Sequence, residues 1–188
     1  MSRRFFELHD DVQVPGRWHL DTPVDGKGRE VREPDRFRQG TPVQVEGRLG
    51  IPVEAPGKPL DFTEAGLRIP VVHVRVAALF TELAPADIQL IPVDIKGHAD
   101  QYLLLVATRL IRCIDEQASR IRLWTHEDGV PEKVGHYASV RDLRIDKTKV
   151  GAARVFRPEG WTGALIVSED LKLSLEHVKA TGVKFTEV

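Results

Sequence analysis

Apolar positions along the chain change period several times, and each change predicts an element. Phe5, Phe6 and Leu8 make residues 3–8 an opening strand. Val43–Gly47 alternates apolar and polar, the mark of a half-buried strand, and Leu49, Ile51 and Val53 carry the alternation past Gly50, a position suited to a bulge. Asp61–Thr63 reads as a further short strand. The period then lengthens: Val72, Val76, Leu79, Phe80 and Leu83 form one helical stripe, so a helix is predicted at about 71–83, with Pro70 at or just before its start and Pro85 as its stop. Asp87–Asp94 returns to strand spacing, and Pro92 points to an edge or a bulge there. Gln101–Val106 and Arg109–Ile114 are strongly apolar strands, Ile121–Trp124 an alternating one with a turn at Glu127–Gly129, and residues 139–145 a less regular one.

The C-terminal tail is the most legible part. Ala153–Phe156 and Ala164–Val167 read as strands flanking the loop Pro158–Gly163. Ser168 suits an N-cap, its hydroxyl accepting from a free backbone N–H, and Glu169 and Asp170 place negative charge at the positive end of the helix. Leu171, Leu175 and Val178 give that helix its buried stripe over about 169–181, Gly182 fits the left-handed position that closes it, and Val183 and Phe185 share a face of the last strand. Residues 15–42, by contrast, are dominated by Pro, Gly, Asp and Arg and read as an irregular surface segment pinned by Trp18, Leu20, Val24 and Phe37. Strands and helices mix without a βαβ rhythm. The expectation is an α+β fold: a mostly antiparallel sheet, two main helices and a β/loop-rich N-terminal part. A chain of 188 residues fits one domain, here a 1–60 lobe and a 61–188 α+β part.

Charge narrows the partners. Residues 1–50 carry nine basic and nine acidic side chains, 51–100 four and seven, 101–150 nine and seven, and 151–188 five and five, so no segment is a basic stripe or a strongly acidic face. Nucleic-acid binding and nucleic-acid mimicry are both disfavoured. The single cysteine, Cys113, rules out a disulfide framework and reads as a small buried residue, which suits a cytoplasmic protein. No signal peptide and no apolar run long enough to span a bilayer are visible, so no membrane partner is expected.

Signatures of chemistry are few. Phosphate-cradling glycine motifs, His-Glu-x-x-His and paired Cys-x-x-Cys are absent, and no cofactor or metal is expected. His98 with Asp100 and His126 with Asp128 are the pairs closest to a ligand set, but each is a common feature of polar turns. Ser168 lacks the Gly-x-Ser-x-Gly elbow of a nucleophile. His9–Asp11 reads as a charged strand end rather than an acid–base cluster. The tryptophans say more. Trp161 in its Gly-rich loop is either a plug over the core or an anchor for a partner, with Arg157 nearby, and Trp124 sits two residues from His126 on one strand face. Trp161, Arg157, Trp124 and His126 are therefore the candidate partner-binding residues. Arginine outnumbers lysine eighteen to nine, which suits bidentate contacts at interfaces.

The order of segments from Phe62 onward resembles the eleventh numbered immunity-protein family of bacterial polymorphic toxin systems, formerly a domain-of-unknown-function family. The segments that carry the resemblance are Asp61–Thr63, Ile69–Val72, Ile88–Val93, Tyr102–Leu105, Ile114–Asp115 with Ser119, Arg154–Arg157, Ile166–Glu169 and Thr181–Phe185, with Arg17–Leu20 fitting more loosely. The resemblance implies a small α+β protein, not an enzyme, that binds and neutralises a cognate secreted toxin encoded nearby, by steric inhibition in the cytoplasm. It carries over no catalytic residues, and the toxin's activity, the contact residues and the oligomeric state stay open. Two other readings of the residues stand beside it: a small hydrolase or transferase with a polar site gathered in space from His98, Asp100, His126 or Asp128, and a self-associating structural domain.

Overall fold

A strand buried along its whole length, as Tyr102–Ala107 is, must lie inside a sheet covered on both faces. The computed structural model, which describes residues 3–188, places it there. In chain order the N-terminal half supplies β1 (Phe5–Asp10), β2 (His19–Leu20), β3 (Leu49–Ile51), β4 (Val53–Ala55), β5 (Phe62–Ala65), β6 (Ile69–His73), the helix α1 (Val74–Leu83) and β7 (Ile88–Ile95). There follow β8 (Tyr102–Ala107), β9 (Leu110–Ile111), β10 (Arg120–Leu123), β11 (Tyr137–Arg141), β12 (Val155–Pro158), β13 (Ile166–Ser168), α2 (Glu169–His177) and β14 (Val183–Glu187). Two five-stranded sheets carry the fold, ordered β14-β1-β13-β12-β9 and β3-β7-β8-β6-β5, and each is antiparallel except at one edge pair, β9 with β12 and β3 with β7. The α+β class is the observed one.

Strand alternation sorts the side chains into layers. Tyr102, Leu104 and Val106 of β8, with Ile91, Val93 and Ile95 of β7 and Leu49 and Ile51 of β3, face an outer core closed by Trp18, Leu20 and Phe37 of the N-terminal coat. Leu103, Leu105 and Ala107 face the other way, into a central core shared with Val76 and Phe80 of α1, Leu171 and Leu175 of α2, and Phe6, Leu8, Val155 and Val167 of the other sheet. Phe5, Phe156 and Ile166 on that sheet's far face pack under Cys113, Leu143, Ile145 and Val150. β10 and β11 form a separate hairpin paired only with each other.

Several boundaries differ from the periodicity. α1 starts at Val74, not near residue 71, because Val71 and Val72 pair with Leu104 and Leu103 in β6 and β8, and Pro70 lies in the strand opposite Glu64. Two β-branched residues facing a central strand favour the ladder, and His73 then caps the helix, its Nδ1 accepting from the Arg75 N–H at 3.1 Å. α2 ends at His177 rather than near 181. Lys179, at φ 53°, takes the left-handed closing position instead of Gly182: Ala180 N–H donates to Leu175 O at 2.9 Å and Lys179 N–H to Glu176 O at 3.0 Å, a Schellman turn. Ser168 occupies the N-cap position, but its hydroxyl donates to the Asp170 carboxylate instead of accepting from the backbone.

Val43–Gly47 is not a strand. Its backbone is satisfied by a side chain: Gln89 accepts from Val43 N–H at 2.8 Å and donates to Val43 O at 2.7 Å. Gly50 is no bulge but a regular partner of Asp94. Pro92 lies in an interior strand, yet β3 covers only Val93–Ile95 of β7, so no neighbour on that side needs the missing N–H. The apolar run Arg109–Ile114 yields only the two residues of β9.

Candidate functional site

The β10–β11 hairpin sets one wall of a cleft. Its connecting loop is held by a capping box, in which Asp128 accepts from Thr125 N–H at 2.8 Å while Arg122 grips the same carboxylate at 3.0 Å. Trp124, just past β10, is bracketed by two cations, Lys133 Nζ 5.0 Å and the Arg122 guanidinium carbon 5.5 Å from a ring centroid. Tyr137 opens β11 and donates from its hydroxyl to Glu116 at 2.5 Å; burial first, and then that bond, push its pKa up to about 12.

The opposite wall is the loop between β12 and β13. Gly160, at φ 84°, lies so close to Tyr137 that a Cβ there would come within 2.9 Å of the ring. Trp161 follows, half-buried against the core beneath the first sheet. The loop is braced from inside by Arg157, 1% exposed, whose Nη1 donates to Thr162 O at 3.1 Å and Gly163 O at 3.3 Å. Its Nε and Nη2 have no hydrogen-bond partner among the described residues. Burial draws its pKa down to about 9, so it is still a cation at neutral pH, facing Glu64 and Glu7 through space. Burial also raises both of those carboxyls above the ordinary range, against the pull of Arg68.

Two arginines from the N-terminal half complete the floor. Arg38 ends the 3-10 turn Pro34–Arg38 and is held by Asp35 at 2.5 Å. Arg68 sits in a strained turn before β6, where Leu67 and Arg68 both take left-handed φ values of 61° and 59°. It pairs with Glu64 at 3.2 Å. Four segments far apart in sequence thus enclose about 580 Å³ lined by Arg38, Arg68, Trp124, Lys133, His136, Tyr137 and Gly160–Gly163. No carboxylate lines it; Asp35 and Glu64 hold their arginines from outside the lining.

Of the residues predicted for partner binding, Trp124 and Trp161 meet in this cleft. Arg157 does not present its guanidinium to solvent; it braces the Trp161 loop from inside. His126 is exposed at the hairpin tip, outside the lining. The polar residues His98, Asp100, His126 and Asp128 are kept apart. His98 packs edge-on against Trp18 at 4.8 Å, Asp100 lies 3.8 Å from His73, and Asp128 is engaged by the capping box. Cys113 is buried, and burial pushes its thiol up to about 11. Arg38, Arg68, Lys133 and Tyr137 escaped the sequence reading because each is locally an ordinary polar or strand residue. Trp124 and the Gly160–Trp161 pair are the signals of the cleft that the sequence carries.

Half-buried rings and cations converging from separate loops are the features of a binding surface. Sequence comparison is consistent with a protein of that class: the chain belongs to the Imm11 immunity protein family, whose model matches residues 3–188, nearly the whole chain. No curated protein matches it. Among the described residues no helix is long and apolar enough to cross a membrane.

Proposed function

We propose that the protein binds a cognate secreted bacterial toxin in the cytoplasm of the producing cell and neutralises it by steric inhibition, without catalysis, docking through the Trp124–Trp161 cleft. Membership of an immunity family is the observation that carries this reading. The cleft supports its second half, because tryptophan, tyrosine and arginine are the residues that dominate binding energy at protein interfaces, and here they line one concavity of about 580 Å³. The dispersal of His98, Asp100, His126 and Asp128 weighs against the hydrolase or transferase reading.

The test is co-expression with the toxin domain encoded beside this gene. The expected outcome is restored growth and a complex on size exclusion, with a stable interface of roughly 1,200–2,000 Å². Trp161→Ala should weaken it by about 2 kcal/mol, the scale of an interface hot spot. Unrelieved toxicity with no complex would refute the function. A complex indifferent to Trp161→Ala and Trp124→Ala would move the interface elsewhere.

A further inference from the structure

We propose that the cleft between the β10–β11 hairpin and the Trp161 loop takes an acidic segment of the toxin, its carboxylates seated among Arg38, Arg68 and Lys133. This rests on the docking reading above and adds the chemistry of the partner.

Three observations lead to it. The lining holds Arg38, Arg68 and Lys133 and no Asp or Glu. Asp35 takes only the Nε of Arg38, which leaves both terminal nitrogens of that planar fork to match a carboxylate, while Arg68 gives Nε and Nη2 to Glu64, with Glu7 at 3.9 Å, and keeps Nη1. Lys133 has no carboxylate within 4.0 Å among the described residues and rests on Trp124 at 5.0 Å. The strained Leu67–Arg68 turn points the same way, since left-handed non-glycine residues cluster where a side chain must be held for a site, and this turn holds Arg68 in the cleft floor.

Other occupants fit less well. A nucleic-acid strand would use the aromatic rings as stacking platforms, but Trp124 already carries Arg122 and Lys133 over its rings. The chain also has a net charge of −1 and no basic stripe. A second cationic cleft of about 550 Å³, lined by Arg109, Arg112, Lys149 and Arg154, has no aromatic residue and carries a carboxylate, Asp87, in its own lining, where it would repel an acidic segment.

The three tryptophans make the test direct. Trp124 and Trp161 line the cleft, while Trp18 is fully buried, donating to Thr63 Oγ1 at 2.9 Å, and serves as the internal reference for folding. Hexaglutamate titrated into the full-length protein should shift the Trp124 and Trp161 indole N–H resonances saturably and leave Trp18 in place. Binding on the order of 1 mM or tighter is expected. Lys133→Glu and Arg68→Glu, each with an unmoved Trp18 signal, should weaken it at least about threefold, since attraction becomes repulsion. The proposal is overturned if hexaglutamate moves neither resonance, if hexalysine or inorganic phosphate reproduces the shifts, if oligothymidine binds more tightly than hexaglutamate, or if the reversals leave affinity unchanged. The toxin complex separates the two levels. A complex that forms normally with both charge-reversal variants sinks the acidic-segment reading alone. Hexaglutamate binding without any toxin complex sinks the immunity function and leaves the cleft chemistry standing.

Discussion

At the residue scale, the most consequential pair is Arg17 with Asp10, both side chains under a tenth exposed and joined by two bonds of 2.6 and 2.7 Å. Arg17 also donates to Asp11 O at 2.9 Å, and Asp10 accepts from Glu64 N–H at 3.2 Å, so the pair ties β1 to the N-terminal coat and to β5. Removing one member strands the other charge. Asp10→Asn should cost about 3–5 kcal/mol in urea unfolding, and Asp10→Asn with Arg17→Met distinctly less than the two single changes together; strict additivity would refute the coupling. Asp61 is a second anchor, accepting from Arg75 Nη2 at 2.6 Å and Thr181 N–H at 2.8 Å. Burial opposes its ionisation, but Arg75 and Thr181 outweigh that and hold its pKa below the ordinary value. A depressed carboxyl stabilises the fold above its unfolded pKa and stops doing so as pH falls through the folded one. Asp61→Asn should therefore cost about 1–2 kcal/mol at pH 7, towards the low end for a charged hydrogen bond because Arg75 is half-exposed. The deficit should shrink as pH drops below about 4. A deficit constant from pH 7 to strongly acid conditions would show that charge is not its source.

At the element scale, local rules settle the interiors of helices and strands, and tertiary contacts settle where they end. Lys179 closes α2 at φ 53° where glycine is the relaxed choice. Lys179→Gly should raise stability by about 0.5–1 kcal/mol, since relief of left-handed strain exceeds the added entropy of the unfolded chain; a lower melting temperature would contradict that balance. Gly182, which the sequence offered for this role, is required for another reason: a Cβ there would fall 2.1 Å from Phe62 O. The buried stripe of α2, the apolar run of β8 and the hairpin strand at Ile121 were all legible, because each rests on side-chain period alone. Val43–Gly47 and the start of α1 were not. In the first a Gln89 side chain replaces a strand partner, and in the second a neighbouring strand claims Val71 and Val72, and neither partner adjoins its target in sequence. The cleft was half legible for the same reason: its tryptophans stand out by type, while its cations are ordinary until the chain folds.

At the scale of the whole molecule, the division into a 1–60 lobe and a 61–188 part marks a change in composition, and the packing argues that the two stand or fall together. β1 lies between β14 and β13 inside one sheet, and β3 edges the other, so a cut at residue 61 removes a strand from both. It also strips Trp18, Leu20, Phe37, Leu49, Ile51 and Leu60 from the outer core, each at most 3% exposed. A fully buried side chain of this kind contributes about 1.5–3 kcal/mol, so six amount to something on the order of 10 kcal/mol, as much as the entire net stability of an ordinary domain. The fragment 61–188 should therefore fail to fold, showing dye-accessible apolar surface and no cooperative melting. The full chain should unfold in one step, with far-UV circular dichroism and the Trp18 indole N–H resonance changing together. A fragment that melts cooperatively, or two separated transitions in the full chain, would establish two independent units. One cooperative unit also bears on docking, because Arg38 comes from the 1–60 lobe and Arg68, Lys133 and Trp161 from the 61–188 part. Loosening the coat, as Phe37→Ala should, would then weaken toxin binding without touching a residue that lines the cleft.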